Sequence, residues 1–170
     1  MAVRKSSLPE RLRRARIAVI RAEYNGEVTR SLEEKCLQGL EEAGVSAAQV
    51  DCFSVPGCFE IPFLAQRLAA EKRYDVLIAL GAVIRGETLH FDLVANECAR
   101  GIMEASLKHN VPVIFEVLAV RRRRDALRRA GDNRFNKGFE AAGAALSVLN
   151  TISKLDGNSR AAQRRPRSSS

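Results

Sequence analysis

Apolar residues follow two alternating rhythms along the chain. Ile17-Ala-Val-Ile (17–20), the run 50–55, Asp75-Val-Leu-Ile-Ala-Leu (75–80) and the run 112–120 are short and nearly continuously apolar, as strands buried on both faces are. Between them apolar positions recur every three or four residues. Val28, Leu32, Cys36, Leu37, Leu40 and Ala43 predict a helix over 27–43, closed by Gly44. Phe59, Phe63, Leu64 and Leu68 predict a second over 59–71, with Pro62 tolerated only in its first turn. Val94, Cys98, Ile102, Met103 and Leu107 mark a third, running from the end of the loop 81–90 to about residue 108. A short helix near 123–130 and a final one over 136–155 complete the order βαβαβαβαα. Such an order predicts an α/β fold: a three-layer, flavodoxin-like sandwich with a four-stranded parallel sheet flanked by helices.

Length and composition sharpen this outline. A chain of 170 residues supports one full domain, and 46% hydrophobic content excludes wholesale disorder. Residues 1–16 read as a basic polar leader in which Pro9 can open a helical turn but not a central strand. Residues 17–155 read as the single domain, and 156–170, rich in Ser, Arg and Gln, as a disordered basic tail. No apolar run approaches the roughly 20 residues that span a bilayer, and the basic start has no cleavage-like end, so neither membrane nor secretion is expected.

The net charge of +8 resides in the two ends. Residues 1–16 set six basic groups against Glu10, 156–170 set four against Asp156, and the body between them is neutral. Within that body, Arg121, Arg122, Arg123, Arg124, Arg128, Arg129, Arg134 and Lys137 face only Asp125 and Asp132 over 121–137. A compact basic segment on an otherwise acidic body suits a small anion, so nucleic acid is not expected as a partner. Cys36, Cys52, Cys58 and Cys98 form no C-x-x-C pair, and the histidines are two, His90 and His109. That pattern reads as reduced thiols of a cytoplasmic protein and predicts neither a metal nor a cofactor.

In open parallel sheets ligands bind beyond the carboxyl ends of the strands. This rule selects the loops 23–26, 56–60 and 81–90 and the region after Phe115. Tyr24 is either a ring capping the sheet or a stacking surface for a planar heterocycle. Glu60, in the first turn of a helix, either complements the helix dipole or accepts hydrogen bonds from a polyhydroxyl chain. Gly81 and Gly86 admit close backbone approach, and Thr88 or the amides of Glu87 and Thr88 can hold a phosphate. His90 is a structural histidine or, beside an anion site, a proton-transfer group. Arg128, Arg129 and Lys137 form a solvated face or clamp a phosphate.

Taken together, Tyr24-Asn25, Val-Pro-Gly-Cys-Phe-Glu-Ile-Pro (55–62), Gly-Ala-Val-Ile-Arg-Gly-Glu-Thr-Leu-His-Phe-Asp (81–92) and Arg-Ala-Gly…Asn-Lys-Gly-Phe-Glu-Ala-Ala (129–142) resemble the lumazine synthase family. The likeness spans about 16–155 in one collinear register. It implies condensation of 5-amino-6-(D-ribitylamino)uracil with 3,4-dihydroxy-2-butanone 4-phosphate to 6,7-dimethyl-8-ribityllumazine, phosphate and water. By the same resemblance Tyr24 stacks on the pyrimidine; Cys58, Phe59 and Glu60 hold ring and ribityl chain; Ala82, Val83 and Ile84 offer backbone contacts. Glu87 and Thr88 fall on the phosphate loop, and His90 on the proton-transfer histidine. Phe115, Arg129 and Lys137 match groups that come from a neighbouring subunit, the two cations addressing phosphate.

Several positions depart from the family pattern. Cys58 stands where many members carry Ser or Ala, Phe59 where Trp or Tyr is common, and Glu116 where Gly is frequent. Arg121 to Arg124 replace a Thr-Asp-rich segment, and Phe135 replaces a Gly. The resemblance further implies a homo-oligomer, a pentamer or a sixty-subunit shell of pentamers, with riboflavin synthase a candidate partner. Pro9 makes the leader a poor pairing strand, which favours free pentamers. The competing readings are a flavin- or lumazine-binding module and a shell-forming structural protein with little catalytic activity.

Overall fold

The computed structural model describes Pro9 and residues 12–163, with side chains to Gly157. Four parallel strands, β1 (Ile17–Ala22), β2 (Val50–Val55), β3 (Val76–Ile84) and β4 (Val113–Val120), lie in the order β2-β1-β3-β4. Helices α1 (Gly26–Glu42), α2 (Ile61–Ala70), α3 (His90–His109), α4 (Arg123–Arg129) and α5 (Lys137–Gln163) cover both faces. This is the three-layer α/β sandwich that the alternation of apolar runs and helical stripes predicts. The strands pair in register, Ile17 with both Val50 and Val76, and Leu77 with Val113.

Alternation along the strands builds two cores. Ile17, Val19, Val76, Ile78 and Leu80 face α1, α4 and α5, where Val28, Leu32, Cys36, Ala141 and Ala145 meet them. Ala18, Ile20, Leu77 and Ala79 face α2 and α3, against Ile61, Ala65, Cys98 and Ile102. Full burial of the Leu and Ile side chains contributes about 1.5–3 kcal/mol each before entropy is counted. Helix α5 is pressed onto α1 at Gly138, where an added Cβ would lie 1.9 Å from the Leu32 carbonyl oxygen.

The structure departs from the sequence expectations at three element ends. β3 continues to Ile84 instead of stopping at the glycine, because Gly81 stays in the pleat under close packing: an added Cβ would stand 2.6 Å from the Cys58 sulfur. The leader is not wholly polar, since Leu12 and Ala15 are buried against the first core and the 3-10 turn Leu12–Arg14 begins with the Leu12 amide donating a hydrogen bond to the Pro9 carbonyl. The final helix runs past residue 155 to Gln163. Asp156 to Gln163 contains no proline, and propagation of an established helix carries it through the weak formers Gly157, Asn158 and Ser159 to Arg160, Ala161 and Ala162, which favour helix. The rest of the expected tail, 164–170, and residues 1–8, 10 and 11 of the leader lie outside the described residues. No helix among the described residues is long and apolar enough to cross a membrane.

Candidate functional site

Because β1 is flanked by β2 and β3, the chain leaves it towards one edge of the sheet and later returns to build the other. A crevice opens at this reversal, above the carboxyl ends of β1 and β3. Asn25 bridges it. Its backbone is left-handed at φ 58°, and its side-chain amide donates to the Ala82 carbonyl at 2.8 Å. That bond, with the Tyr24 amide donating to the Pro56 carbonyl at 3.0 Å, ties the ends of three strands into one rim. The sequence places residue 25 in the candidate loop 23–26 and in the Tyr24-Asn25 motif but gives it no role of its own. A buried-side role for a loop asparagine leaves no periodic trace, although its tolerance of positive φ is a usable signal.

Above the rim lies an open cleft of about 750 Å³. Tyr24 and Asn25 follow β1, Pro56 to Glu60 follow β2, Ala82 to Ile84 end β3, and Gly86, Thr88, His90, Phe91, Leu93 and Val94 come from the last loop and α3. Tyr24 is 73% exposed and Phe59 58%, so two aromatic faces stand free where a planar ring could lie on them. The Glu60 carboxylate accepts the Gly57 amide at 2.8 Å, which fixes the 3-10 turn Cys58–Glu60 and leaves further lone pairs towards the cleft. Cys58 is buried at the cleft floor, and burial pushes its thiol up to about 11, so it is a neutral packing group at physiological pH.

On the α3 side, the Thr88 hydroxyl accepts the His90 amide at 3.3 Å, placing the imidazole at the first turn of a 20-residue helix. Arg85 is held by Asp92 and lies 4.8 Å over the Phe91 ring, which braces the loop. The cleft thus gathers Tyr24, Cys58, Phe59, Glu60, Ala82, Val83, Ile84, Thr88 and His90. Glu87 is exposed and does not line it.

Phe115, Arg129 and Lys137 lie elsewhere. Phe115 is half-exposed on β4, opposite Ala79, well before the strand's carboxyl end. Arg129 ends α4, its guanidinium donating to the Asp125 carbonyl at 3.3 Å. Lys137 begins α5, hydrogen-bonded to Glu140. Asn136, fully buried, organises this corner: its amide donates to the Gly131 carbonyl at 3.0 Å and its oxygen accepts the Gly138 amide at 2.8 Å. Sequence reasoning passed over Asn136, since a buried side-chain-to-backbone hub has no spacing signature. Nearby, burial chiefly pushes the Glu116 carboxyl up to about 7; Lys137 opposes the shift and Glu140 adds to it.

A covered parallel sheet with an aromatic-lined cleft across its topological switch point defines a small-molecule-binding α/β protein of the flavodoxin-like class. Comparison with known proteins narrows the class: the profile of the 6,7-dimethyl-8-ribityllumazine synthase family matches residues 14–153, and the chain belongs to that family. Curated relatives of that description include one from Thermococcus onnurineus, 48% identical over 82% of this chain and 90% of its own length. Another, from Thermococcus kodakarensis, is 47% identical over 82% of this chain and 88% of its own. The protein is therefore a transferase of riboflavin biosynthesis, and the binding-module and structural-shell readings give way to the enzyme. Its family is one of oligomers.

Proposed function

We propose that the cleft holds 5-amino-6-(D-ribitylamino)uracil with its ring between Tyr24 and Phe59 and its ribityl chain towards Glu60. The observation that carries this reading is the pair of free aromatic faces above the exposed strand ends of β3. Backbone groups of Ala82, Val83 and Ile84 lie at the level where the pyrimidine edge would be read, and Cys58 closes the floor. The phosphate of 3,4-dihydroxy-2-butanone 4-phosphate sits at Thr88 and the start of α3, at the positive end of the helix dipole, with Glu87 contributing its backbone. The ring amine attacks the ketone carbon and water leaves as the imine forms; loss of phosphate gives an enol that tautomerises to a ketone, and attack of the ribitylamino nitrogen on that ketone, with loss of a second water, closes the ring to 6,7-dimethyl-8-ribityllumazine. Each step moves a proton to or from nitrogen or oxygen, and His90 is the cleft's imidazole for that work. Holding two substrates at near-attack distance supplies a large share of the rate, which suits a site with many binding groups and one proton carrier.

The remaining cations come from a second copy. Arg129 and Lys137 do not line their own chain's cleft, and Phe115 is an apolar ring on an open edge strand; all three reach the cleft of a neighbour. Exposed Phe63, Leu93, Met103 and Leu107 support burial of the α2–α3 side on association. A head-to-tail contact of this kind closes into a ring, and the ring is a pentamer. The free thiols Cys36, Cys58 and Cys98, all buried, fit the reducing cytoplasm. The test is to mix the purified protein with both substrates and follow the lumazine chromophore together with solution mass. Chromophore formed by a species of five chains is expected. Absence of the chromophore, or full activity in a monomer, overturns the reading.

A further inference from the structure

Glu116 is a partly buried carboxylate, the one charged residue of the strand β4, and the fold puts it in a specific place. It lies on β4 opposite Leu80, on the same face as Ile114, Leu118 and Val120, which packs against α1, α4 and α5. Phe115 points to the other face, so one turn of the edge strand offers an apolar ring on one side and a carboxylate on the other. The groups facing Glu116 come from each packed element: Lys137 and Glu140 from the first turn of α5 and Cys36 from α1. Arg129, from α4, is close enough to Lys137 to repel it. Lys137 is hydrogen-bonded to Glu140, whereas the Glu116 carboxylate makes no hydrogen bond or ion pair among the described residues.

We infer that Glu116 is a positioning residue for Lys137, and that its charge sets how strongly the Lys137–Arg129 corner holds the phosphate of the substrate. This inference rests on the proposal that these two cations address phosphate. Lys137 is held by Glu140 and is also attracted by Glu116, on the β4 face that α5 covers. The ionised Glu116 draws the ammonium back towards β4 and brings the four-group cluster to zero net charge; the neutral acid leaves it at +1, with Lys137 held by Glu140 alone. Burial, which raises the Glu116 carboxyl to about 7, places this change near neutrality. Cys36, pushed by burial up to about 12, stays neutral throughout, and Lys137, raised by Glu140, stays charged.

The experiment measures inhibition by inorganic phosphate and the KM of each substrate from pH 5.5 to 8.5 for wild type, Glu116→Gln and Glu116→Gly. Comparison of the three proteins at each pH cancels the titration of phosphate itself. Both variants should bind phosphate several-fold tighter than wild type at pH 8.5 and equally at pH 5.5, with the KM of the uracil substrate unchanged. Equal phosphate affinity in all three proteins across that range overturns the inference. A Lys137→Gln control separates the two layers: it should weaken phosphate binding, and Glu116→Gln should then add nothing in its background. If Lys137→Gln leaves phosphate binding intact, the cation assignment itself fails; if it weakens binding while Glu116→Gln is silent in the wild type, only the role of Glu116 falls.

Discussion

The two ends of the sheet solve opposite problems with the same four strands. At the amino end, polar groups are consumed within the chain. Asp51 accepts the Tyr74 hydroxyl at 2.8 Å, Arg16 at 2.8 Å and Arg73 at 3.0 Å, while the Arg16 amide donates to Asp75 at 2.7 Å. At the carboxyl end, Tyr24 and Phe59 are open, and His90 and Thr88 stand at the cleft with only a single bond between them. The closed end stabilises, and the open end is where we propose that substrate binds. Groups left with spare hydrogen-bonding capacity and bare aromatic faces are what a ligand can use, and the strand ends opposite must hold the frame.

This contrast is sharpest for changes at the open end. His90→Ala should lower turnover by roughly 10²- to 10⁴-fold, the usual range for losing a proton-transfer group, while the thermal midpoint stays within about a degree or two. Steady-state kinetics and calorimetry on the same preparation check it; a protein that loses stability as much as activity would erase the distinction. Arg129→Ala should act chiefly on KM for the phosphorylated substrate, with a loss of about 2 kcal/mol, or roughly 30-fold. Wild-type KM in that variant would remove Arg129 from the phosphate side. Mixing the two variants after dissociation should restore some activity, because each supplies what the other's site lacks across a head-to-tail contact.

Glu116 is an exception to the division, since it carries unpaired charge inside the frame. Its raised pKa means that the native state binds more protons than the unfolded chain between about pH 4.5 and 7. Stability should therefore fall as pH rises through that window. Glu116→Gln should remove this slope and gain about 2 kcal/mol at pH 8, a figure that allows for partial solvent access. Denaturant unfolding of both proteins at pH 5 and pH 8 measures it; parallel pH profiles would show that the carboxyl is solvated.

Sequence rhythm made the frame legible because burial on both faces writes itself into composition. Val76 to Leu80 could hardly be anything but an interior strand, and the stripe through Val28, Leu32 and Cys36 lies against it as expected. The element ends were harder. Gly81 has the residue type of a breaker, and only its packing against Cys58 and Val117 shows that it extends the strand. The residues around the cleft were legible as loops at strand ends, but the roles of Asn25 and Asn136 were not, because each works through hydrogen bonds to backbone from distant or irregular segments. The scatter of Phe115, Arg129 and Lys137 away from the cleft is equally invisible to periodicity, which reports burial within one chain and says nothing about what a second chain receives.

The closed end gives the smallest and most discriminating effect. The Tyr74 hydroxyl first, then the Arg16 and Arg73 guanidinium groups, hold the Asp51 carboxyl below the usual carboxylate range, and desolvation opposes them. A depressed carboxyl contributes stability that is present above its unfolded pKa of about 3.9 and lost as pH falls through the folded value. Asp51→Asn should lower the thermal midpoint at pH 7, and the gap between variant and wild type should shrink as the buffer is taken below about pH 4. Kinetic constants for both substrates should not change, because the hub lies at the far ends of the strands from His90. A shift in either KM, with stability intact, would mean that the two ends of the sheet are coupled and that the frame takes part in binding.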